Sequence, residues 1–325
     1  MTIPKTLLAG DIGGTKTLLR LTCGAAVLRE QRYDSAAWDG LEPMIADLLA
    51  NTPVDAACFG VAGPVRGRAA QITNLPWRID ADAIAQQFSI GKVALINDFQ
   101  AVAYGIEALG PEDLYTLQAG HLSEHGPRAV IGAGTGLGEG YLVWQGENYV
   151  ALPSEGSHAD FAPADELQID LWRWLSERHD HVSWERVVSG PGLETIYRFL
   201  RERGDFPEST LLAQMMQAGD ASAAISDFAL HQYDPLASAA LDLFVAIYGA
   251  ETGNLALKIL ASGGVYVAGG IAPKIIERLK NGGFMGAFLA KGRFAELLAS
   301  IPVQVVLNPE VGLLGAQRVA GKQSS

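Results

Sequence analysis

Residues 130–144 read VIGAGTGLGEGYLVW, an apolar run that breaks into five glycines within nine residues and then resumes. Backbone this bare lets a ligand come close to main-chain N–H groups, which points to a phosphate. A dinucleotide fingerprint needs G-x-G-x-x-G between a strand and a helix, but the sixth position from Gly132 is Leu137. The next stretch, EGYLVWQGENYVAL (139–152), alternates and turns as a hairpin does, so no helix N-terminus is expected to receive a pyrophosphate there. A Walker loop, G-x-x-x-x-G-K-[ST], is also missing from the sequence. What remains is a hairpin that offers backbone donors to a polyphosphate.

LLAGDIGGTKTLLRL (7–21) repeats that plan: an apolar run, a Gly-Gly turn and a second strand-like run. Each hairpin opens a longer series of strand and helix patterns, so the chain reads as two related α/β halves joined near residue 109. The boundaries expected are a small α/β domain of 1–108 plus 311–325 and a large α/β domain of 109–310. In the first half, VDAACFGVAG (54–63) and KVALINDF (92–99) read as buried strands, with DADAIAQQF (80–88) as a helix between them. In the second, GGVYVAGGI (263–271) and PVQVVLNP (302–309) read as strands. Only GKQSS (321–325) reads as disordered.

Composition narrows the class. The 325 residues are 49% hydrophobic, enough for a large core. A net charge of −12 argues against a nucleic-acid partner or an anionic membrane surface. The start MTIPKTLLAG lacks the pattern of a signal peptide, and no apolar stretch approaches the ~18 residues of a membrane span. Cys23 and Cys58 have no C-x-x-C spacing and read as reduced, buried and structural. The expectation is a soluble acidic enzyme.

Six segments in order, GDIGGT (10–15), INDF (96–99), GAGTGLG (132–138), EGSHADFAP (155–163), ERVVSGPG (185–192) and VAGGI (267–271), resemble the bacterial glucokinases that lack the zinc motif. The resemblance covers nearly the whole chain. It implies two ribonuclease-H-like domains of the actin-like ATPase and sugar kinase superfamily with a hinged cleft, and ATP-dependent phosphorylation of glucose at its 6-hydroxyl, feeding glycolysis. The repressor and kinase branch with a C-x-C-G-x-x-G-C cluster does not match, which excludes structural zinc.

Asp98 follows an apolar strand, where α/β folds place ligands. By resemblance its carboxylate accepts the 6-hydroxyl proton and Asn97 bonds neighbouring hydroxyls. The alternative is that Asn97–Asp98 caps the helical pattern that follows. Glu155, His158 and Glu185 offer the directional acceptors and donors that a ring of hydroxyls requires, and they resemble sugar ligands. A metal site at Glu155, His158 and Asp160 has too few carboxylates for a hard ion and too few histidines for zinc. Glu185 also suits the first turn of a helix, and the HDH at 179–181 reads as a solvated helix end.

The resemblance assigns the ATP phosphates to Gly10, Asp11, Ile12, Gly13, Gly14 and Thr15 and to Gly134, Thr135 and Gly136. It gives Mg²⁺ to Asp11 through water, and adenine or ribose to Gly269 and Gly270. Ala101 with Gly105, and Gly249 with Gly253, form small-residue helix faces that suit a hinge, with closure excluding water from the transfer. The expected partners are glucose and ATP, with no nucleic acid or membrane, in a cytoplasmic homodimer. Other readings are a kinase for mannose, fructose or glucosamine, an actin-like ATPase without a sugar substrate, and a sugar-responsive repressor. The last would need a DNA-reading helix pair before GDIGGT, which begins at residue 10.

Overall fold

In the computed structural model, residues 4–72 and 75–323 are described. The chain divides into two compact units: Met1–Asp113 with Gln145–Pro153 and Asn308–Ser325, and Leu114–Trp144 with Ser154–Leu307.

The first unit is built on β1 (Thr6–Ile12), β2 (Lys16–Cys23), β3 (Ala26–Asp34), β4 (Ala56–Val61), a small sheet of β5 (Val65–Arg66), β6 (Ala69–Gln71) and β7 (Arg78–Asp80), and β8 (Lys92–Asn97). The main sheet runs β3-β2-β1-β4-β8. β1 and β2 form the expected hairpin, with Ile12 opposite Thr17, while β1–β4 and β4–β8 are parallel. β4 is buried at every position, the pattern of a strand covered on both faces. One face packs a large-residue core that includes Leu8, Ile12, Met44, Phe59 and Trp77. The other is a thinner layer of Ala9, Cys58, Ile96, Ala101, Leu313, Ala316 and Ala320.

That thin layer exists because two helices approach closely. Asp98–Gly105 and Val311–Gln323 cross where a Cβ on Gly105 would strike the Val311 carbonyl and one on Gly315 would strike the Ala101 carbonyl. Arg20 on β2 pairs with both Glu30 and Glu310, tying the sheet to the start of the Val311–Gln323 helix. Gly321, Lys322 and Gln323 are helical rather than disordered, since Ala320 and its neighbours are anchored in this layer; Ser324 and Ser325 of the GKQSS segment lie outside the described residues.

The second unit holds β9 (Leu114–Gln118), β10 (Arg128–Ala133) and β11 (Leu137–Gln145). After β11, a turn closed from Glu147 N–H to Gln145 O (2.8 Å) leads to β12 (Asn148–Ser154), most of which counts with the first unit. β13 (Val265–Ala268) and β14 (Val303–Val306) complete the second unit's sheet, in the order β11-β10-β13-β14-β9. β10 and β11 form the second hairpin, with Ala133 opposite Leu137. β10–β13 and β13–β14 are parallel, the same sequence of pairings as β2-β1-β4-β8. The Pro235–Ile259 helix is buried along most of its length, among helices that share one large core with the sheet.

The small-residue helix faces are used inside each unit. Gly105 meets Val311, while Gly249 meets the Phe284 carbonyl and Gly253 the Phe288 carbonyl (2.6 Å from an added Cβ). This corrects the hinge expected at these residues: each stripe already has a packing partner in its own unit. Cys58 is buried as expected and burial pushes its thiol up, but Cys23 is only half-buried, at the end of β2; both are free.

Candidate active site

In the first unit the Gly13–Lys16 turn is braced from beneath. Gly13 N–H donates to Lys16 O (3.0 Å), Ser35 N–H to Thr15 O (3.0 Å), and Ser35 Oγ to Gly13 O (2.8 Å). Thr15 is exposed and Gly13 and Gly14 are half-buried, so this turn presents its backbone. Gly10 and Ile12 sit differently. Ile12 is in the core, and the space beside Gly10 is filled by Phe59 (2.6 Å from an added Cβ) and Leu19 (2.8 Å). Packing alone therefore requires a glycine at position 10.

Asn97 ends β8 and caps the next helix: its Oδ1 accepts from Phe99 N–H (2.9 Å) and Gln100 N–H (3.3 Å), and its Nδ2 faces Gly63 O (3.4 Å). Asp98 is the first helical residue and shares the Phe99 N–H (2.8 Å). Gly60 lies under this turn, where an added Cβ would meet Ala101 Cβ at 2.8 Å and Asp98 Cα at 3.8 Å. Burial, and then the charge of Asp98, push the Asp11 carboxyl up to about 6, against the opposing charge of Arg32. The charge of Asp98 is thus close enough to raise the proton affinity of Asp11, against which Arg32 is the opposing positive charge.

In the second unit the glycine turn is held open. Gly134 N–H donates to Gly136 O (2.8 Å) and Gly190 N–H to Gly134 O (2.8 Å). An added Cβ on Gly134 would meet nothing within 4 Å, so no internal packing demands its glycine. Gly136 is different: its Cβ would come 2.5 Å from Glu185 Oε2, which accepts from Leu137 N–H at 2.9 Å. Gly269 has φ +81° and abuts Ala133 O (2.5 Å from an added Cβ), while Gly270 has open space. Both therefore lie beside the glycine turn.

Glu155 precedes the short turn Gly156–His158. Its carboxylate is 90% exposed and lies 3.9 Å from His158 Nε2, so neither side chain is consumed by the fold. Glu185 N–H donates to Ser157 O (3.0 Å), which joins the two segments. Glu185 lies ahead of the next helix, which begins only at Gly190 with Ser189 as its cap, so it is not in the first turn. A cavity of about 300 Å³ in this unit is lined by Thr135, His158, His179, His181, Glu185 and Arg186, among others. His181 is exposed and His179 half-buried, in keeping with a solvated helix end, and both also line this cavity, His181 with its Nε2 2.9 Å from Asp160 Oδ1 beside an Asp160–Ser183 bridge. Sequence reading noted the HDH at 179–181 but not its place at this cavity; two histidines close to the Glu185 motif were the available signal. Ser35 gave no sequence signal.

Adding a methyl at Gly136 is expected to push the Glu185 carboxylate off Leu137 N–H. If Glu185 holds the sugar as the resemblance implies, Gly136→Ala should then raise the KM for sugar roughly 10-fold with the fold intact, read by steady-state kinetics beside a circular-dichroism melt.

The fold is that of actin-like ATPases and sugar kinases: a solved glucokinase from an Antarctic psychrotroph aligns with a TM-score of 0.86 at 30% identity, covering 98% of this chain and 99% of that one. A ROK-family glucokinase from Streptomyces griseus, solved with glucose and AMPPNP, aligns at a TM-score of 0.65 and 21% identity over 98% of this chain and 99% of that one, a likeness of fold. A sequence model described as Glucokinase matches residues 8–323. The Nostoc punctiforme glucokinase is 47% identical over 97% of this chain and 99% of its own length. The chain belongs to the glucokinase family, and its activity is ATP-dependent phosphorylation of glucose.

Proposed function

We propose that the γ-phosphate of ATP passes to the 6-hydroxyl of glucose with Asp98 accepting the hydroxyl proton, the product serving glycolysis. The observation that carries this reading is the division of labour at the end of β8. Asn97 takes both the Phe99 and Gln100 N–H groups, while Asp98, which shares the first of them, stands at the strand end beside Asp11. Transfer of a phosphoryl group asks the protein mainly for positioning and charge neutralisation. Asn97, Glu155, His158 and Glu185 would orient the sugar hydroxyls. The Gly13–Thr15 turn and Gly134–Gly136 would offer N–H groups to the phosphates, with the Thr135 hydroxyl, and Gly269–Gly270 would lie against adenine or ribose. The roles first assigned to Gly10 and Ile12 reduce to backbone contacts, since their side-chain positions are filled by the core.

Asp11 fits a Mg²⁺ ion held through water, because its carboxyl is pushed up by burial and by Asp98, a state that a nearby cation relieves. Bound there, Mg²⁺ would neutralise charge on the phosphates. Among the described residues no group of three or more potential ligands forms a separate metal site. None of their helices is long and apolar enough to cross a membrane. The two free cysteines suit a reducing compartment, and we place the enzyme in the cytoplasm as a homodimer, which sedimentation checks. A coupled ADP-release assay across a hexose panel tests the substrate: turnover with mannose or fructose but not glucose defeats the reading.

The raised Asp11 carboxyl carries a sign. The unfolded chain ionises near 3.8 and the folded one near 6, so between those values the folded state binds more protons and stability falls as pH rises. Above about 6 the full penalty remains. Asp11→Asn should therefore melt higher than the wild type at pH 7.5 without ligands, by roughly 2 kcal/mol, while losing most activity. Calorimetry and the coupled assay check both halves; an unchanged or lower melting temperature removes the buried-charge argument.

A further inference from the structure

Behind the Gly156–His158 turn lies a carboxyl group that the proposed mechanism does not use. Glu139, on β11, is 2% exposed, and its Oε2 occupies the space into which a Cβ on Gly156 would project. Its Oε1 is buried with no hydrogen-bond partner. β11 begins at Leu137, beside the glycine turn, so this one side chain joins the strand of that turn to the floor of the Glu155–His158 loop. Gly156 N–H is held by Ser154 Oγ (3.0 Å), and the neighbouring Ser157 is buried.

The charged surroundings come from two further elements. Glu251, on the Pro235–Ile259 helix, is fully buried, but its oxygens are satisfied by Asn254 Nδ2 (2.8 Å) and Lys258 Nζ (3.1 Å). Lys291 faces Glu251, and burial pulls its ammonium down. On the same helix as Glu251, the Tyr248 hydroxyl accepts from Ala133 N–H (3.2 Å); burial first raises its proton affinity, that hydrogen bond opposes, and Glu139 adds to the rise. Burial raises the proton affinity of Glu251 as well, but Asn254 and Lys258 bond its oxygens, whereas the buried Glu139 Oε1 has no hydrogen-bond partner and feels Lys258 only through its charge.

We propose that Glu139 is a positioning residue for glucose, supporting the Gly156–His158 turn from beneath as a neutral acid, so that its ionisation loosens the sugar site. This rests on the reading of Glu155 and His158 as sugar ligands. A buried oxygen without a donor is far less costly on a neutral acid than on a carboxylate. In keeping with that, burial first and Glu251 second push the Glu139 carboxyl up to about 7, with Lys258 opposing. Below that pH the support is intact. Above it the carboxylate draws away from Glu251 and toward water, and the turn above it shifts.

The test is the pH dependence of glucose affinity in the full-length enzyme, by calorimetric titration and by KM, for wild type, Glu139→Gln and Glu139→Ala. The glutamine matches the neutral acid in shape. Wild-type glucose affinity is expected to weaken roughly 5-fold from pH 6 to pH 8.5, and Glu139→Gln to keep the tight value throughout. His158 is common to both proteins, so the difference between the two profiles isolates position 139. Glu139→Ala should raise glucose KM roughly 10-fold with ATP KM unchanged. Gly156→Ala, which crowds the same carboxyl, should raise glucose KM in the wild type and much less in a Glu139→Ala background. Parallel pH profiles for wild type and Glu139→Gln, equal changes in glucose and ATP KM, or additive effects of the two alanines overturn the proposal. Failure of the underlying site reading looks different: Glu155→Ala and His158→Ala would then leave glucose affinity unchanged.

Discussion

Asp98→Ala is expected to lower kcat at least roughly 100-fold while glucose binding, read by calorimetry, changes no more than about 3-fold. The separation is possible because the two jobs at the end of β8 are on neighbouring side chains. Asn97 Oδ1 takes the Phe99 and Gln100 N–H groups, so removing the Asp98 carboxylate leaves the helix capped. The stability cost should then be limited to the loss of an acidic residue in the first helical turn, about 0.3–1 kcal/mol. Asp98→Asn keeps the shape and removes the proposed base, and it should fall nearly as far. A variant with near-normal kcat would make Asp98 a second helix cap and nothing more. Asn97→Ala is the opposite case: loss of the cap should cost about 1 kcal/mol and disturb Asp98 with it.

The second large effect is on folding. Gly315→Val places two methyl groups and a Cβ where the Ala101 carbonyl and Gly105 N already are, in a crossing with no flexible side chain to move aside. Overpacking of this kind commonly costs 1–3 kcal/mol, and contact with backbone on both sides puts this case at about 3 kcal/mol or more. The damage should be confined at first to the unit carrying β1–β8, so calorimetry is expected to show one early transition and one near its original temperature. Gly270→Ala, where an added Cβ meets open space, is the control for simple glycine removal. Equal melting of Gly315→Val and wild type would mean that the two helices separate without loss, and the close crossing would have no energetic role.

Legibility in the sequence follows the range of each interaction. The hairpins at Ile12–Thr17 and Ala133–Leu137 were readable because glycine turns between apolar runs are local events. The end of β8 was readable too, since an apolar strand that stops at Asn-Asp offers both a cap and a carboxylate. Partner choice was not. Gly105 and Gly253 show that a helix face is small, yet whether it meets Val311 or Phe288 depends on chain distant in sequence. His179 and His181 read as a solvated helix end, and that they also line the cavity depends on the Asp160–Ser183 bridge, which has no local signature. Glu139 shares strand parity with Leu137, so alternation already placed a charge on the inner face, and that was the signal to follow. Gly10 shows a second reason for a glycine inside a phosphate-like motif: Phe59 and Leu19 fill the space beside it.

The pairing of Asp98–Gly105 with Val311–Gln323 also sets an order of events in synthesis. The helix that begins at Asp98 and the helix that packs against it are separated in sequence by the whole of the second unit. Domains generally fold as they emerge from the ribosome, N-terminal first, but this one stays open on its thin Ala9–Cys58–Ile96 face until the second unit has been made. The nascent first unit is therefore a sheet with one large core formed and an apolar face uncovered, a state suited to chaperone contact. A translation product interrupted before Val311–Gln323 lacks the helix whose Gly315 packs against Ala101 and Gly105, and with it the cover on this face.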